Sequence, residues 1–346
     1  MAHNINFNEN TDNHSFFSVK EKAWHGLGQI VDQYPTSGDA IQHAGLNYQV
    51  QKAGLSAVNL SSGNAGENVP VPNYYATMRT DNGAVLGIVG KDYQIVQNRD
   101  AFTFFDSIVD GDGIMYETAG ALGKGERIFI TAKLPGYIEV GNNDLIEKYL
   151  FLTTSHDGSG SITAAFTPVR IVCANTLNAA RKNMTNVVKI RHTSNATERL
   201  RTAHKVMGIG SRFSDEVGCV FNEWAKKPIT DPQLRKLIEI AMAPNKEVLG
   251  NLKDGKVNAL STQFINIVED VYEYALSNPT QQLPTTMGTV FGAYNAVTGY
   301  FQNVRNFQDN EAKLKSIILG GTAQIRSQTA FNLCSEFAQR GQASLN

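Results

Sequence analysis

Up to about residue 177 the apolar positions fall in short β-rich runs broken by turn residues. Beyond it they recur at helical spacing. YYATMRTDNGAVLGIVGKDYQIV (74–96) sets two β-rich halves around Asn82-Gly83, the strongest short hairpin signal. MYETAGALGKGERIFITAKL (115–134) repeats the design around Gly123-Lys124-Gly125. KYLFLTTSHDGSGSITAAFTPVRIVCANTL (148–177) repeats it again around Asp157-Gly158-Ser159-Gly160. Successive hairpins predict an antiparallel sheet or meander, with a short amphipathic helix, RDAFTFFDSIVD (99–110), between the first two. NLSSGNAGENVPVPN (59–73) reads as a surface loop.

In the second half, NATERLRTAHKVMGIGSRFSDEVGCVFNEWAKK (195–227) reads as helix, with Leu200, Ala203, Val206 and Met207 on one face. Thr230-Asp231-Pro232 is an N-cap with proline in the first turn, opening a second helix. Segments 258–278 and 311–340 predict two more. In VFGAYNAVTGYFQNVRNF (290–307), Val290, Tyr294, Val297 and Phe301 share one stripe, expected to be core before it is a docking surface. The fold class is therefore α+β: successive antiparallel hairpins, then a helical C-terminal half packed with them. Residues 1–194 form the hairpin-rich domain, its basic segment beginning near 170. Residues 195–346 form the helical region, with one continuous domain as the alternative division.

At 346 residues, 42% apolar and 18% charged, the composition is that of a folded globular chain. The N-terminus has no basic head followed by an apolar core, and no run approaches the ~20 apolar residues a bilayer requires. Cys173, Cys219 and Cys334 are far apart and odd in number, which suits reduced thiols in a cytoplasm. No membrane association, metal or cofactor is expected.

Charge changes the picture. Between Asp157 and Asp215 lie nine cations: Arg170, Arg181, Lys182, Lys189, Arg191, Arg199, Arg201, Lys205 and Arg212. Glu198 is the one acid among them, a local net of +8 in a chain that carries −1. The first eight cations are candidate contacts to a phosphate backbone, accompanied by short polar side chains such as Asn183 and Thr185. The segment has no aromatic, so any base stacking must come from the hairpins, through Tyr74, Tyr75, Tyr93 or Phe129. The competing reading is a solvated face whose charges meet acids elsewhere, for instance Asp106, Asp110 and Asp112.

Catalytic signals are sparse. GALGKGER (120–127) sits in a hairpin rather than between a strand and a helix, so it reads as a turn and not a phosphate loop. SHDG (155–158) sets His156 beside Asp157, and AWHGLG (23–28) offers Trp24 and His25; a pocket drawing on these four is the basis of an enzyme reading, hydrolytic or nucleotide-modifying. No cluster has metal-ligand spacing. The weight falls on a protein without catalytic activity. A module that binds a host protein through the basic segment is the other alternative.

FFSVKEKAWHGLG (16–28), LTTSHDGSGSITAAFTPVRIVCANTL (152–177) and TMGTVFGAYNAVTGYFQN (286–303) resemble a family of phage- and plasmid-borne proteins of unknown function. That resemblance implies a cytoplasmic protein of a mobile element. At the level of architecture alone, a curved antiparallel sheet followed by a basic segment and helices is similar to phage single-strand annealing proteins. That similarity implies a homo-oligomer holding single-stranded DNA by its backbone, in a replication or recombination setting.

Overall fold

The structure, a computed structural model, describes residues 5–9, 12–20, 27–59, 67–108, 115–142, 144–167, 187–193, 195, 198, 209–308, 312, 316 and 321–345. The fold is α+β, with antiparallel hairpins first and a helical C-terminal half. Two compact units divide the chain, and no single cut separates them. The first takes Met1–Pro135, Tyr149–Ala165 and Val187–Ile209; the second takes Gly136–Lys148, Phe166–Asn186 and Gly210–Asn346.

The first unit begins with the short strands β1 (Phe7–Asn8), β2 (Asn13–His14), β3 (Phe16–Val19) and β4 (Gln29–Val31), then helix α1 (Ser37–His43). Strands β5 (Val50–Asn59), β6 (Glu67–Arg79) and β7 (Val85–Gly90) form a three-stranded antiparallel sheet in the order β5-β6-β7. After helix α2 (Asn98–Ile108) come β8 (Met115–Leu122), β9 (Arg127–Val140), β10 (Asp144–Ser155), β11 (Ile162–Thr167) and β12 (Val187–Ile190). These complete a seven-stranded sheet in the order β12-β11-β10-β9-β8-β3-β4. The β3–β4 pairing is parallel; β3–β8, β8–β9 and β11–β12 are antiparallel.

The turns form where the sequence places them. Gly83 adopts φ 71° at the β6–β7 turn, where Arg79 and Ala84 close the hairpin. Gly123 and Gly125 adopt φ 61° and 97° at the β8–β9 turn, so GALGKGER is indeed a turn. At the β10–β11 turn the Asp157 carboxylate accepts from the Ser159 amide at 2.8 Å. The predicted loop 59–73 is corrected in part, because residues 67–73 belong to β6. There β6 pairs with β5 alone, β7 reaching only Tyr74–Met78. A strand with one free side accommodates Pro70 and Pro72, which bring no N–H to a ladder.

The core of this unit lies between one face of the large sheet and the two helices. Ile128, Ile130, Leu150, Leu152, Ile162 and Ile190 meet Ala40, Ala44, Ala101, Phe102 and Phe104. The β-branched and aliphatic sheet residues suit a buried pleated face, and the alanines let α1 and α2 approach.

The second unit is helical: α3 (Ile209–Ala225), α4 (Asp231–Met242), α5 (Lys246–Lys253), α6 (Thr262–Ser277), α7 (Val290–Gly299) and α8 (Thr322–Arg340). The Gln233 side chain accepts from the Thr230 amide at 3.0 Å at the start of α4, and Ser261 caps α6 by accepting from the Phe264 amide. Helix α7 is buried on all sides and continues into a π-helical turn, Tyr300–Val304. Val290, Tyr294, Val297 and Phe301 are all core, as their shared stripe predicts. Trp224 is the hub, with its ring 4.8 Å from Phe331, 5.7 Å from Tyr294 and 5.8 Å from Phe221. Asn222 of α3 holds the tip of the β9–β10 hairpin, accepting from the Gly141 amide at 2.8 Å and donating to the Glu139 carbonyl at 2.7 Å. Among the described residues no helix is long and apolar enough to cross a membrane.

Candidate functional site

Val187, Val188 and Ile190 favour an extended chain, and β12 forms antiparallel to β11. Ile190 lies opposite Ile162 and enters the core, at 4% and 1% exposure respectively. Alternation along an extended chain then turns Lys189 and Arg191 outward, and both are exposed. The strand is the outermost member of its sheet, and among the described residues no further strand lies on its far side. Ion pairs among the described residues include Arg79–Asp81, Arg235–Glu269, Lys236–Glu239 and Lys256–Asp254. Neither Lys189 nor Arg191 takes part in one. Asp106, weighed above as a counter-ion, accepts instead from the Tyr116 hydroxyl at 2.7 Å.

Arg170, Arg181, Lys182, Arg199, Arg201 and Lys205 lie outside the described residues, as do Trp24 and His25. Two of the eight candidate phosphate contacts can therefore be placed, and they fall together on β12 and the residue after it.

The chain leaving β12 is fixed by His192. Its Nδ1 lies 3.0 Å from the Gln94 carbonyl, its Nε2 3.2 Å from the Thr154 hydroxyl, and its own carbonyl accepts from the Gln94 amide. A carbonyl only accepts, so Nδ1 carries the proton and Nε2 receives the threonine hydroxyl. The Tyr93 ring stacks on the imidazole at 4.7 Å, and its hydroxyl donates to the Ser155 carbonyl at 2.8 Å. Burial pushes the Tyr93 phenol up and the His192 imidazole down, so His192 is neutral at pH 7.

Next to it stands the SHDG turn. His156 is fully buried, with Nε2 2.8 Å from the Asn98 amide oxygen. Asn98 is oriented by its NH2, which donates to the Leu46 carbonyl at 3.0 Å. Nε2 of His156 therefore bears the proton. Its Nδ1 is buried and meets no partner among the described residues. Burial, with His192 adding to it, lowers this imidazole from 6.5 to about 4.

The turn backbone holds the two sheets of the first unit together. The His156 amide donates to the Glu126 carbonyl, and its carbonyl accepts from the Thr77 hydroxyl at 2.7 Å. Gly87 of β7 passes so close that a Cβ there would lie 2.5 Å from the Asp157 Cα. Asp157 is half-buried. Burial alone would raise its carboxyl, but the Ser159 amide and hydroxyl, with Arg127 nearby, hold it below the usual carboxylate value. His156 thus serves as a buried tie between sheets, and Asp157 as the cap of its own turn.

Of the aromatics considered for stacking, Phe129 is buried and Tyr93 is committed to His192. Tyr75 lies under the Lys52 ammonium at 5.3 Å, and Tyr74 is exposed on the outer face of the three-stranded sheet. Among the described residues no three His, Cys, Asp or Glu side chains converge as metal ligands.

These features define an α+β protein whose cationic edge strand, paired with β11, is clipped to two buried histidines. The chain belongs to the family described as "Domain of unknown function (DUF932)", whose model matches residues 85–318. That span contains β12, the Tyr93–Gln94 contact and the SHDG turn. No curated protein and no solved structure matches the chain.

The strand β12 and the His192–Gln94 contact escape sequence reading. Val-Val-Lys-Ile is a weak strand signal in a basic stretch, and its partners lie 98 residues away for His192 and Gln94. The signal that was available is the alternation of Val188 and Ile190 with Lys189 and Arg191.

Proposed function

We propose that this protein binds nucleic acid, with single-stranded DNA favoured, through the basic stretch that includes β12. It does so without catalysing a reaction, in the cytoplasmic replication or recombination of a phage or plasmid and as a homo-oligomer. The observation that carries the reading is the outward pair Lys189 and Arg191. They stand on an edge strand and the residue after it, with no ion-pair partner among the described residues, inside a stretch of nine cations and one acid. Two unneutralised cations about two residues apart on an extended strand match the repeat of a phosphate backbone better than a point anion. Single-stranded DNA is favoured over duplex because an extended edge and an exposed aromatic, Tyr74, suit a splayed strand.

The enzyme alternative gains nothing from His156, which is enclosed with its protonated nitrogen bonded to Asn98, while Trp24 and His25 lie outside the described residues. A second reading rests on the same strand: charged edge residues also prevent strand-to-strand aggregation. Fluorescence anisotropy of a labelled oligonucleotide at low salt separates the two. Saturable binding that weakens with salt is expected; an oligonucleotide that never binds sinks the proposal. Aggregation on neutralising Lys189 and Arg191, without any binding beforehand, would favour edge protection.

A further inference from the structure

The first unit buries two imidazoles, and the hydrogen bonds of His156 suit the neutral form alone. His192 donates from Nδ1 to Gln94 and accepts at Nε2 from Thr154. His156 donates from Nε2 to Asn98, and Nδ1 faces no acceptor. A second proton on His156 would therefore be a buried donor with nothing to receive it. A second proton on His192 would require the Thr154 hydroxyl to turn and accept, and would leave an imidazolium buried there.

The surrounding charges do not compensate. Asp157 is on the same turn, but its oxygens accept from the Ser159 amide and hydroxyl, with Arg127 of β9 alongside. Tyr93, in the segment before α2, is neutral and bonded to Ser155. On the Asn98 side stands Tyr48, whose phenol burial raises to about 12. Beyond it, Arg79 is bound in both directions by Asp81, and Glu126 turns its carboxylate to the Lys124 amide. No free carboxylate among the described residues is placed to receive an imidazolium.

We propose that this pair is an acid-sensitive latch: protonation of His156 and His192 opens the 155–158 turn and frees the chain after β12 from Tyr93 and Gln94, loosening the edge strand that carries Lys189 and Arg191. The latch is a property of the fold. Only its consequence, acid-triggered release of nucleic acid, rests on the function proposed above. The direction follows from linkage. A group whose folded value lies below its free value of 6.5 binds its proton better in the open form. The cost is absent well above 6.5, grows as pH falls, and levels off near 4. For His156 alone, the open fraction at pH 5 rises by about twentyfold over neutral pH.

Hydrogen exchange read by mass spectrometry on peptides covering 149–165 and 187–193, corrected for intrinsic rates, tests this at neutral pH and at pH 5. In the unaltered protein both peptides are expected to lose protection at pH 5, by about twentyfold or more. In His192→Gln and in His156→Gln, that pH-dependent loss is expected to shrink, whatever the absolute stability of each variant. Protection that is equal at the two pH values, or a pH-dependent loss as large in both variants, overturns the latch. Anisotropy under the same conditions separates the second claim. If the peptides open but no oligonucleotide binds at either pH, the latch stands and the nucleic-acid reading falls.

Discussion

Replacing Lys189 and Arg191 together by glutamine isolates the charge of the edge strand from its fold. Both side chains are exposed and neither forms an ion pair among the described residues, while the inward residue Ile190 is untouched. Stability should therefore change by no more than about 0.5 kcal/mol. If both cations meet phosphates, the plot of log affinity against log salt becomes shallower by about 1.4 on single strands. At about 0.1 M salt the same counterion release corresponds to an affinity loss of about 25-fold. The assay is an anisotropy titration at several salt concentrations, with thermal melting of the same samples. A control variant, Lys226→Gln with Lys246→Gln, removes equal charge from exposed positions in the helical unit and should leave the slope unchanged. An unaltered slope in the β12 variant, or an equal change in the control, would refute the placement of the contact. A collapse in melting temperature would show that the two cations hold the strand rather than a ligand.

Gly87→Ala drives a Cβ to within 2.5 Å of the Asp157 Cα and 2.7 Å of its carbonyl oxygen, neither of which is a flexible side-chain end. It should cost about 1–3 kcal/mol in thermal or urea denaturation, whereas Gly83→Asn at the exposed β6–β7 turn should cost far less. Phe331→Ala removes the ring packed 4.8 Å from Trp224 and 5.8 Å from Tyr294. A loss of about 3–5 kcal/mol is expected in the helical unit, with a red shift of the Trp224 emission as the ring meets water.

What was legible in the sequence is what neighbours in the chain decide. Asn82-Gly83, Gly123 with Gly125, and Asp157 with Ser159 specify their turns within a few residues, and each hairpin forms. Thr230 and Gln233 mark a helix start, and the apolar stripe through Val290, Tyr294, Val297 and Phe301 marks a buried helix. What was illegible depends on distant partners. Pro70 and Pro72 argue for loop until one sees that β6 there has a neighbour on one side only. His156 and Asp157 have the composition of an acid–base pair. Only the Thr77, Glu126 and Asn98 contacts, from three separate elements, show the histidine to be a structural tie. The excess of cations was plain from composition, but its placement was not. Strand β12 exists because Ile190 finds Ile162 and His192 finds Gln94, and neither pairing is written in the basic stretch itself.

The most direct test of the central claim is a map of where a bound strand touches the protein. Ultraviolet cross-linking of a photoreactive single-stranded oligonucleotide, followed by peptide mass spectrometry, is predicted to place adducts in the peptides spanning 187–193 and the adjoining Tyr93–Gln94 segment. Adducts confined to helices α3–α8, or none at concentrations well above the anisotropy midpoint, would contradict it.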